Sequence, residues 1–340
     1  MIVHHSRGSY PIEEQHFAEF LGSLPAEQPV FIDSSVAALW GHHLSHRLVY
    51  EVASGETSKS ISEFERCLEW LAERRVTRDA TLVAIGGGVV GDLVGFVAAA
   101  YMRGVQVVQV PTTLLAQVDS SVGGKVAVDL RGGKNLAGAF HPPVRVVVCP
   151  DALGTLAPRQ LINGSAEVWK YGYIADSALL EELRRAPIAP GNPKMGEWVW
   201  RSIDIKRRIV EEDEFETTGL RATLNFGHTI GHSIEAELGY QDLLHGEAVA
   251  IGMVAEARLG EALGITPPGT AGDIERDMLS QGLPVAIPAV LDGERLLARM
   301  ASDKKATQSG LAFSLIAGAG ACKLCSEVDV RAVRRLLGLP

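Results

Sequence analysis

Short runs of aliphatic and β-branched residues alternate with helix-like patterns in the first half of the chain. These runs predict strands at residues 29–32, 80–85, 105–110 and 144–148. Strands that alternate with helices are typical of a parallel α/β sheet. The most apolar stretch, residues 93–102, lies between Asp92 and Arg103 and predicts a buried helix.

From residue 151 onward the pattern becomes long and helical, with few strand candidates before residues 311–316. A chain of 340 residues with 46% hydrophobic residues is long enough for two cores. We therefore predict two domains. Residues 1–150 form an α/β domain with a Rossmann-like parallel sheet, and residues 151–340 form a mostly α-helical domain.

A glycine-rich turn follows the strand predicted at residues 80–85. Gly86, Gly87 and Gly88 precede a predicted helix, where backbone N–H groups can approach a pyrophosphate. The spacing departs from the usual dinucleotide fingerprint, so close packing of helix against strand is the alternative interpretation. Two further loops, residues 111–115 and 119–125, are expected with it at the carboxyl ends of strands, where open α/β sheets bind ligands.

The second half of the chain contains three histidines that lie close together in the sequence. His228 and His232 are spaced to share one face of a helix, and His245 begins a second apolar-periodic helix that could bring a third imidazole near them. A catalytic zinc site needs three protein ligands and one open position. The alternative is a pair of buried, hydrogen-bonded histidines.

Composition narrows the classes of partner. The net charge of −9 argues against nucleic acid or an anionic membrane as the main partner. No signal peptide or membrane span is predicted, and four cysteines are too few for a disulfide framework, so we expect a soluble, cytoplasmic protein. Cys322 and Cys325 form a single Cys-x-x-Cys in a predicted strand or turn. Lysines and arginines near the glycine-rich loops favour a phosphorylated, carboxylate-bearing small molecule as ligand.

Many short motifs in fixed order resemble the 3-dehydroquinate synthase family, one group of the sugar-phosphate cyclases. They lie at residues 55–59, 86–92, 101–105, 109–115, 119–125, 133–135, 166–170, 224–235, 244–249 and 303–305. The match extends over almost the whole chain and is weak only at the N-terminus and between residues 175 and 200. It implies the family's two-domain fold, with the active site between the domains.

The resemblance also implies a ligand set. It makes Glu167, His228 and His245 the ligands of a divalent metal, normally zinc, with cobalt as an alternative. His232 becomes a substrate contact, which corrects the simple interpretation of the paired histidines.

Cofactor and substrate contacts carry over in the same way. The implied NAD contacts are Asp33, Glu56, Lys59, Gly87, Gly88, Val89, Asp92, Thr112, Thr113, Leu115, Lys134, Thr155 and Leu156. The implied catalytic and substrate contacts are Asp119, Lys125, Asn135, Lys170, Lys206, Arg221, Asn225, His232 and Lys305 of the Lys304–Lys305 pair, with Arg103 supplied by the partner subunit of a homodimer. The segment before Arg221 carries one residue more than the family pattern, which is expected to shift Lys206 relative to Arg221.

The implied activity is that of a carbon–oxygen lyase of the shikimate pathway, which leads to the aromatic amino acids. The enzyme converts 3-deoxy-D-arabino-heptulosonate 7-phosphate to 3-dehydroquinate and phosphate by transient oxidation with NAD, phosphate elimination, reduction and aldol cyclisation. Three alternatives stay open. They are a related cyclase, above all aminodehydroquinate synthase, a metal-dependent polyol dehydrogenase, and a catalytically silent relative.

Overall fold

The computed structural model describes residues 1–240, 242–302 and 311–339. The chain divides into two compact units. The first contains Met1–Ala157 and Met195–Ile203, and the second contains Pro158–Lys194 and Asp204–Pro340. The predicted domain boundary after residue 150 stays a prediction. No helix in the described part of the chain is long and apolar enough to cross a membrane.

The first unit contains most of the strands. They are β1 (Ile2–His5), β2 (Gly8–Glu14), β3 (Val30–Asp33), β4 (Val49–Val52), β5 (Thr81–Gly86), β6 (Gln106–Pro111), β7 (Lys125–Leu130), β8 (Gly133–Phe140) and β9 (Arg145–Val148). Its helices are α1 (Phe17–Ser23), α2 (Ser34–Trp40), α3 (Ile61–Glu73) and α4 (Gly88–Ala100). The four predicted strands and the apolar helix are therefore confirmed to within a few residues.

Seven strands form one sheet in the order β1-β2-β9-β6-β5-β3-β4. Only the β1–β2 pair is antiparallel, and all other neighbours are parallel. The chain moves outward from β3 to β4 and then returns to place β5 on the other side of β3. This reversal between β3 and β5 is the topological switch point, beside which ligands bind in open α/β sheets.

The central strands are buried on both faces, as parallel sheets require. Val30 and Ile32 of β3 pack in the core that contains α1, whereas Phe31 packs in the core that contains residues of α3 and α4. The alternation of side chains along a strand produces this division, since neighbouring residues point to opposite faces.

The strands β7 and β8 form a separate antiparallel hairpin. This hairpin corrects one expectation. Residues 119–125 do not follow a strand of the large sheet directly, because Asp119 lies in a short π-helix (Ala116–Ser120) and Lys125 begins β7. Isolated π-turns of this kind are frequent at functional sites.

The second unit is mostly helical, as predicted. Its helices are α5 (Pro158–Ala175), α6 (Ser177–Arg185), α7 (Met195–Glu212, of which the first half clusters with the first unit), α8 (His228–Glu237), α9 (His245–Ala262), α10 (Thr270–Ser280), α11 (Gly293–Ser302) and α12 (Val330–Leu336). A hairpin of β10 (Leu311–Gly318) and β11 (Ala321–Val328) packs with them. Cys322 and Cys325 lie in β11 as free thiols, in agreement with the predicted strand.

Two helices, α8 and α9, approach each other unusually closely. A Cβ atom added to Gly252 would lie 1.9 Å from the carbonyl oxygen of Gly227, and one added to Gly231 would lie 3.0 Å from that of Ala248. Gly227 also has φ 82°, a conformation that favours glycine. The glycines therefore set the spacing of the two helices that carry the three clustered histidines.

Candidate active site

Three elements of the second unit bring a carboxylate and two imidazoles together. Glu167 lies in the buried middle of α5, while His228 and His245 are the first residues of α8 and α9. Glu167 Oε1 is 3.5 Å from His228 Nε2 and 3.8 Å from His245 Nε2. The three predicted metal ligands thus converge from positions far apart in the sequence.

Each of these imidazoles has its other nitrogen occupied. His228 Nδ1 lies 3.2 Å from the carbonyl oxygen of Phe226, and His245 Nδ1 lies 3.1 Å from Glu235 Oε2. Because a carbonyl and a carboxylate oxygen can only accept hydrogen bonds, Nδ1–H is the donor in each tautomer that makes them, which leaves the lone pair on Nε2, the nitrogen nearest to Glu167. Metal-binding histidines are typically oriented in this way.

The electrostatics also suit a metal. Burial, reinforced by the nearby Lys170 ammonium, lowers the pKa of His228 well below its ordinary value. The imidazole is therefore held in its neutral form, which is the form that binds a metal.

The spacing of the ligand atoms fits a small divalent cation. Tetrahedral bonds of about 2.0–2.1 Å place ligand atoms roughly 3.3–3.4 Å apart, so the observed separations need to contract by only a few tenths of an ångström. Glu167 is fully buried, and its Oε1 has no hydrogen-bond donor in the described part of the chain. A buried acceptor of this kind is costly unless a cation or donor meets it. Lys170 forms an ion pair with Oε2.

His232 completes the group of imidazoles. Its ring lies 5.1 Å from that of His228 and 5.7 Å from that of His245, and ligand nitrogens of the three histidines all lie within 4.8 Å of one another. His232 is exposed, unlike His228. The assignment of Glu167 rather than His232 as the third ligand stays a prediction.

Several cations of this unit are buried, which is unusual for lysine and arginine. Lys170, Lys206 and Arg221 are 1%, 7% and 4% exposed. Asn225 contributes a buried amide nitrogen, Nδ2, that has no acceptor among the residues described. A buried donor such as Asn225 Nδ2 is expected to meet an acceptor on a ligand.

The turn that leads to Arg221 is organised by Asp213. The backbone N–H groups of Thr217, Thr218 and Arg221 donate to its carboxylate at 2.7, 3.1 and 3.0 Å. Burial raises the pKa of Asp213, but these N–H groups outweigh burial and bring the pKa to about 2. The guanidinium of Arg221 donates to the carbonyl of Glu214 at 2.5 Å, so the apparent extra residue lies in a turn closed by hydrogen bonds.

In the first unit, the switch point gathers several predicted NAD contacts. Asp33 ends β3, and its carboxylate accepts from the backbone and hydroxyl of Ser35. Gly86 to Gly88 connect β5 to α4, and a Cβ on Gly87 would lie 3.1 Å from Thr113. The bare glycine backbone at the start of α4 leaves room for a phosphate group at the positive end of the helix.

Two ion pairs join other predicted NAD contacts. Lys59 Nζ lies 2.5 Å from Asp92 Oδ2, and Lys134 Nζ lies 3.3 Å from Glu56 Oε1. Burial alone lowers the pKa of Lys59, but Asp92 and Glu56 raise it overall, so this lysine stays charged.

The remaining predicted residues occupy various positions. Thr112 is buried just after β6, and Val89 and Leu115 are half-buried. Thr155 is exposed, and its hydroxyl oxygen accepts a hydrogen bond from Trp40 Nε1 at 3.4 Å. The next residue, Leu156, is half-buried. Lys125 and Asn135 lie in the β7–β8 hairpin, with Asp119 in the preceding π-helix. Arg103 is exposed on a turn with φ 68°. Lys304 and Lys305 lie outside the described residues.

Sequence reasoning missed two buried carboxylates near the histidines, Glu235 and Glu256. Glu235 follows His232 by three residues on the same helix, a spacing that could have indicated a shared face. Glu256 has no local signal, because its partners are far away in the sequence.

Comparison with known proteins agrees with the motifs. Residues 49–163 match the 3-dehydroquinate synthase N-terminal family, and residues 164–306 match the 3-dehydroquinate synthase C-terminal family. The chain belongs to the 3-dehydroquinate synthase family. The 3-dehydroquinate synthase of Xylella fastidiosa strain M12 is 46% identical over 300 residues, which cover 86% of this chain and 81% of the relative. The 3-dehydroquinate synthase of Xanthomonas campestris pv. campestris strain 8004 is 47% identical over 294 residues, which cover 84% of this chain and 79% of the relative.

Solved structures extend the comparison. The 2-epi-5-epi-valiolone synthase ValA of Streptomyces hygroscopicus subsp. jinggangensis, solved with NAD+ and Zn2+ bound, superposes with a TM-score of 0.87 at 26% identity and covers 99% of this chain and 98% of its own. A probable glycerol dehydrogenase of Sinorhizobium meliloti has a TM-score of 0.67 at 18% identity, and the match covers 96% of this chain and 95% of the dehydrogenase. At this identity the likeness shows the fold alone. The dehydroquinate synthase-like fold and the family resemblance predicted from sequence are thus confirmed.

Proposed function

We propose that this chain is a 3-dehydroquinate synthase that converts 3-deoxy-D-arabino-heptulosonate 7-phosphate to 3-dehydroquinate and phosphate in the shikimate pathway. Its membership of the family provides the context. The observation that carries the proposal is the convergence of Glu167, His228 and His245 in a unit that also buries three cationic side chains. A polyol dehydrogenase has little need of such buried cations, whereas a phosphorylated acid requires them.

The chemistry assigned to the site uses two added groups. When bound, NAD supplies a hydride acceptor that later returns the hydride, and the divalent metal, zinc or cobalt, supplies a Lewis acid that stabilises negative charge on oxygen. Glu167, His228 and His245 would hold the metal. Asp33, the glycines after β5 and the Lys59–Asp92 and Lys134–Glu56 pairs would hold NAD, which agrees with the NAD+ and Zn2+ of the valiolone synthase structure.

The chain's own side chains bind and orient the substrate. Lys170 and Arg221 are fixed by Glu167 and by the Asp213 turn, so their charges meet the phosphate and carboxylate groups without a large loss of side-chain freedom. Asn225 Nδ2 would donate to a substrate oxygen. Their common effect is to hold the substrate in one productive conformer through successive steps, including ring closure.

Assembly and location belong to the same proposal. We assign a homodimer in which Arg103 of one subunit reaches the phosphate bound by the other. Two successive residues with positive φ, Met102 and Arg103, place this arginine on an exposed turn. A cytoplasmic location fits a small, phosphorylated substrate, and no nucleic acid or membrane is required.

The decisive experiment measures phosphate release from 3-deoxy-D-arabino-heptulosonate 7-phosphate, with catalytic NAD and zinc, while reduced nicotinamide is followed by absorbance. Phosphate and dehydroquinate in equal amounts, with no net reduced cofactor, would support the synthase. Steady accumulation of reduced cofactor with a polyol would indicate a dehydrogenase. Turnover of an aminated or inosose-forming phosphosugar, without turnover of the heptulosonate, would indicate another cyclase.

A variant of one proposed ligand tests the metal site within the same experiment. His245→Ala should lose metal retention and turnover together, because the metal is left with one imidazole and one carboxylate. Metal content equal to that of the parent protein in this variant would contradict the ligand assignment.

A further inference from the structure

A fully buried carboxylate in the middle of α9 binds the first turn of α8. Glu256 is 0% exposed, and its Oε2 accepts from the backbone N–H of Gly227 at 2.7 Å. Its Oε1 accepts from the backbone N–H of Ile230 at 3.1 Å. His228 lies between these two donors, so one side chain holds the backbone on both sides of a proposed metal ligand.

The first N–H groups of a helix have no partners within the helix and are usually satisfied by a side chain at the N-cap. The N-cap of α8 is Gly227, which has no side chain, so the cap must come from elsewhere. Glu256 supplies it from another helix. A carboxylate at this end is also favoured by the helix dipole, and bonds from backbone N–H to a charged oxygen are stronger than neutral ones.

Close packing alone does not fix the direction of α8. The close approaches of Gly252 to Gly227 and of Gly231 to Ala248 set the distance between the two helices. The two hydrogen bonds of Glu256 are directional and select one rotation of the first turn of α8. Because α9 also begins with His245, Glu256 links the backbones of two proposed ligands.

We propose that Glu256 is a positioning residue for the metal site, which fixes His228 Nε2 relative to His245 Nε2 by capping α8. The inference rests on the proposed metal function, and it adds a residue that contacts neither metal nor substrate. It gives a role to a carboxyl group that lies in a helix interior with no exposed surface, where an apolar residue would avoid the cost of desolvation.

The test uses Glu256→Gln in the full-length protein. Glutamine keeps the shape but replaces one acceptor oxygen with an NH2 group, which would face an N–H donor. Asp277→Asn is the matched control, because Asp277 is also buried in this unit and accepts from Tyr173 and Arg184 without contacting the histidines. Glu256→Asp, which retains both oxygens on a shorter chain, is the second variant if the glutamine protein does not fold.

Two readouts separate positioning from general stability. Hydrogen exchange of the peptide around residues 227–230 is measured in metal-free protein, and Co2+ binding is measured from its visible absorption spectrum. We expect Glu256→Gln to exchange faster in this peptide, to bind Co2+ about tenfold more weakly and to show an altered spectrum, as variants of groups that orient metal ligands do. Asp277→Asn should lower the unfolding temperature but leave both readouts unchanged.

The outcomes distinguish the inference from the proposed function. Unchanged Co2+ affinity and spectrum in Glu256→Gln, with normal binding by the parent protein, would overturn the role of Glu256 alone. Failure of the parent protein to bind Co2+ would overturn the metal site and this inference with it.

Discussion

Replacing Glu235 with glutamine should weaken metal binding without disturbing the fold. Glu235 is 2% exposed, and its Oε2 lies 3.1 Å from His245 Nδ1. A hydrogen bond to a charged group contributes about 1.5–3 kcal/mol, and a neutral one contributes roughly half as much. Glutamine retains an acceptor oxygen, so the expected loss is about 1 kcal/mol or slightly more, equivalent to a fivefold to tenfold lower zinc affinity.

The affinity is measured by competition with a chromophoric chelator at constant pH and ionic strength. Glu237→Gln is the control, because Glu237 lies on the same helix and is also shielded but pairs with Arg295 and Arg299 at 2.9 and 2.7 Å instead of a histidine. That variant should retain the parent affinity. A zinc affinity of Glu235→Gln within twofold of the parent, or an equal loss in Glu237→Gln, would refute the reasoning.

Two further variants test the framework of the site. Asp213→Asn should lower the free energy of unfolding by about 1–2 kcal/mol at pH 6, because neutral amide acceptors bind N–H groups more weakly. The pKa of Asp213 in the folded protein is about 2, below its ordinary value, so its carboxylate stabilises the fold only while it is ionised. The difference in urea midpoint between parent and variant should therefore have its full size above about pH 4 and shrink as the pH falls toward 2. A difference independent of pH would contradict this account. Gly252→Ala should lower the unfolding temperature strongly, since its Cβ would lie 1.9 Å from Gly227 O, at a cost of about 1–3 kcal/mol. Gly272→Ala is its control and should be neutral or stabilising, because the added Cβ would meet nothing within 4 Å beyond the backbone of its own helix.

The sequence patterns predicted the central sheet well because parallel strands are buried on both faces and give continuous apolar runs. The β7–β8 hairpin was missed. Its second strand, Gly133–Phe140, is rich in glycine and small residues and lacks the apolar alternation that predicts a strand. Its strand structure depends on pairing with β7, which no local pattern reveals.

The proposed metal ligands show a similar limit of prediction from sequence. The spacing of His228 and His232 predicts a shared helix face, whereas Glu167 is implied as a ligand only by the resemblance to the family. Its apolar neighbours Ala166, Val168 and Trp169 predict burial but not a partner. Its distances to His228 and His245 appear only in three dimensions. Glu256 was missed for the same physical reason, because backbone N–H groups leave no trace in a sequence.

The Asp213 turn bears on how insertions are tolerated in this protein. A single carboxylate accepts hydrogen bonds from N–H groups in both the middle and the end of the turn, so it ties the end of α7 to the backbone of Arg221. The anchoring bonds lie at Thr217, Thr218 and Arg221, which leaves Phe215 outside them. For protein engineering, the exposed part of this turn, around Phe215, is a natural place to graft a peptide or attach a label.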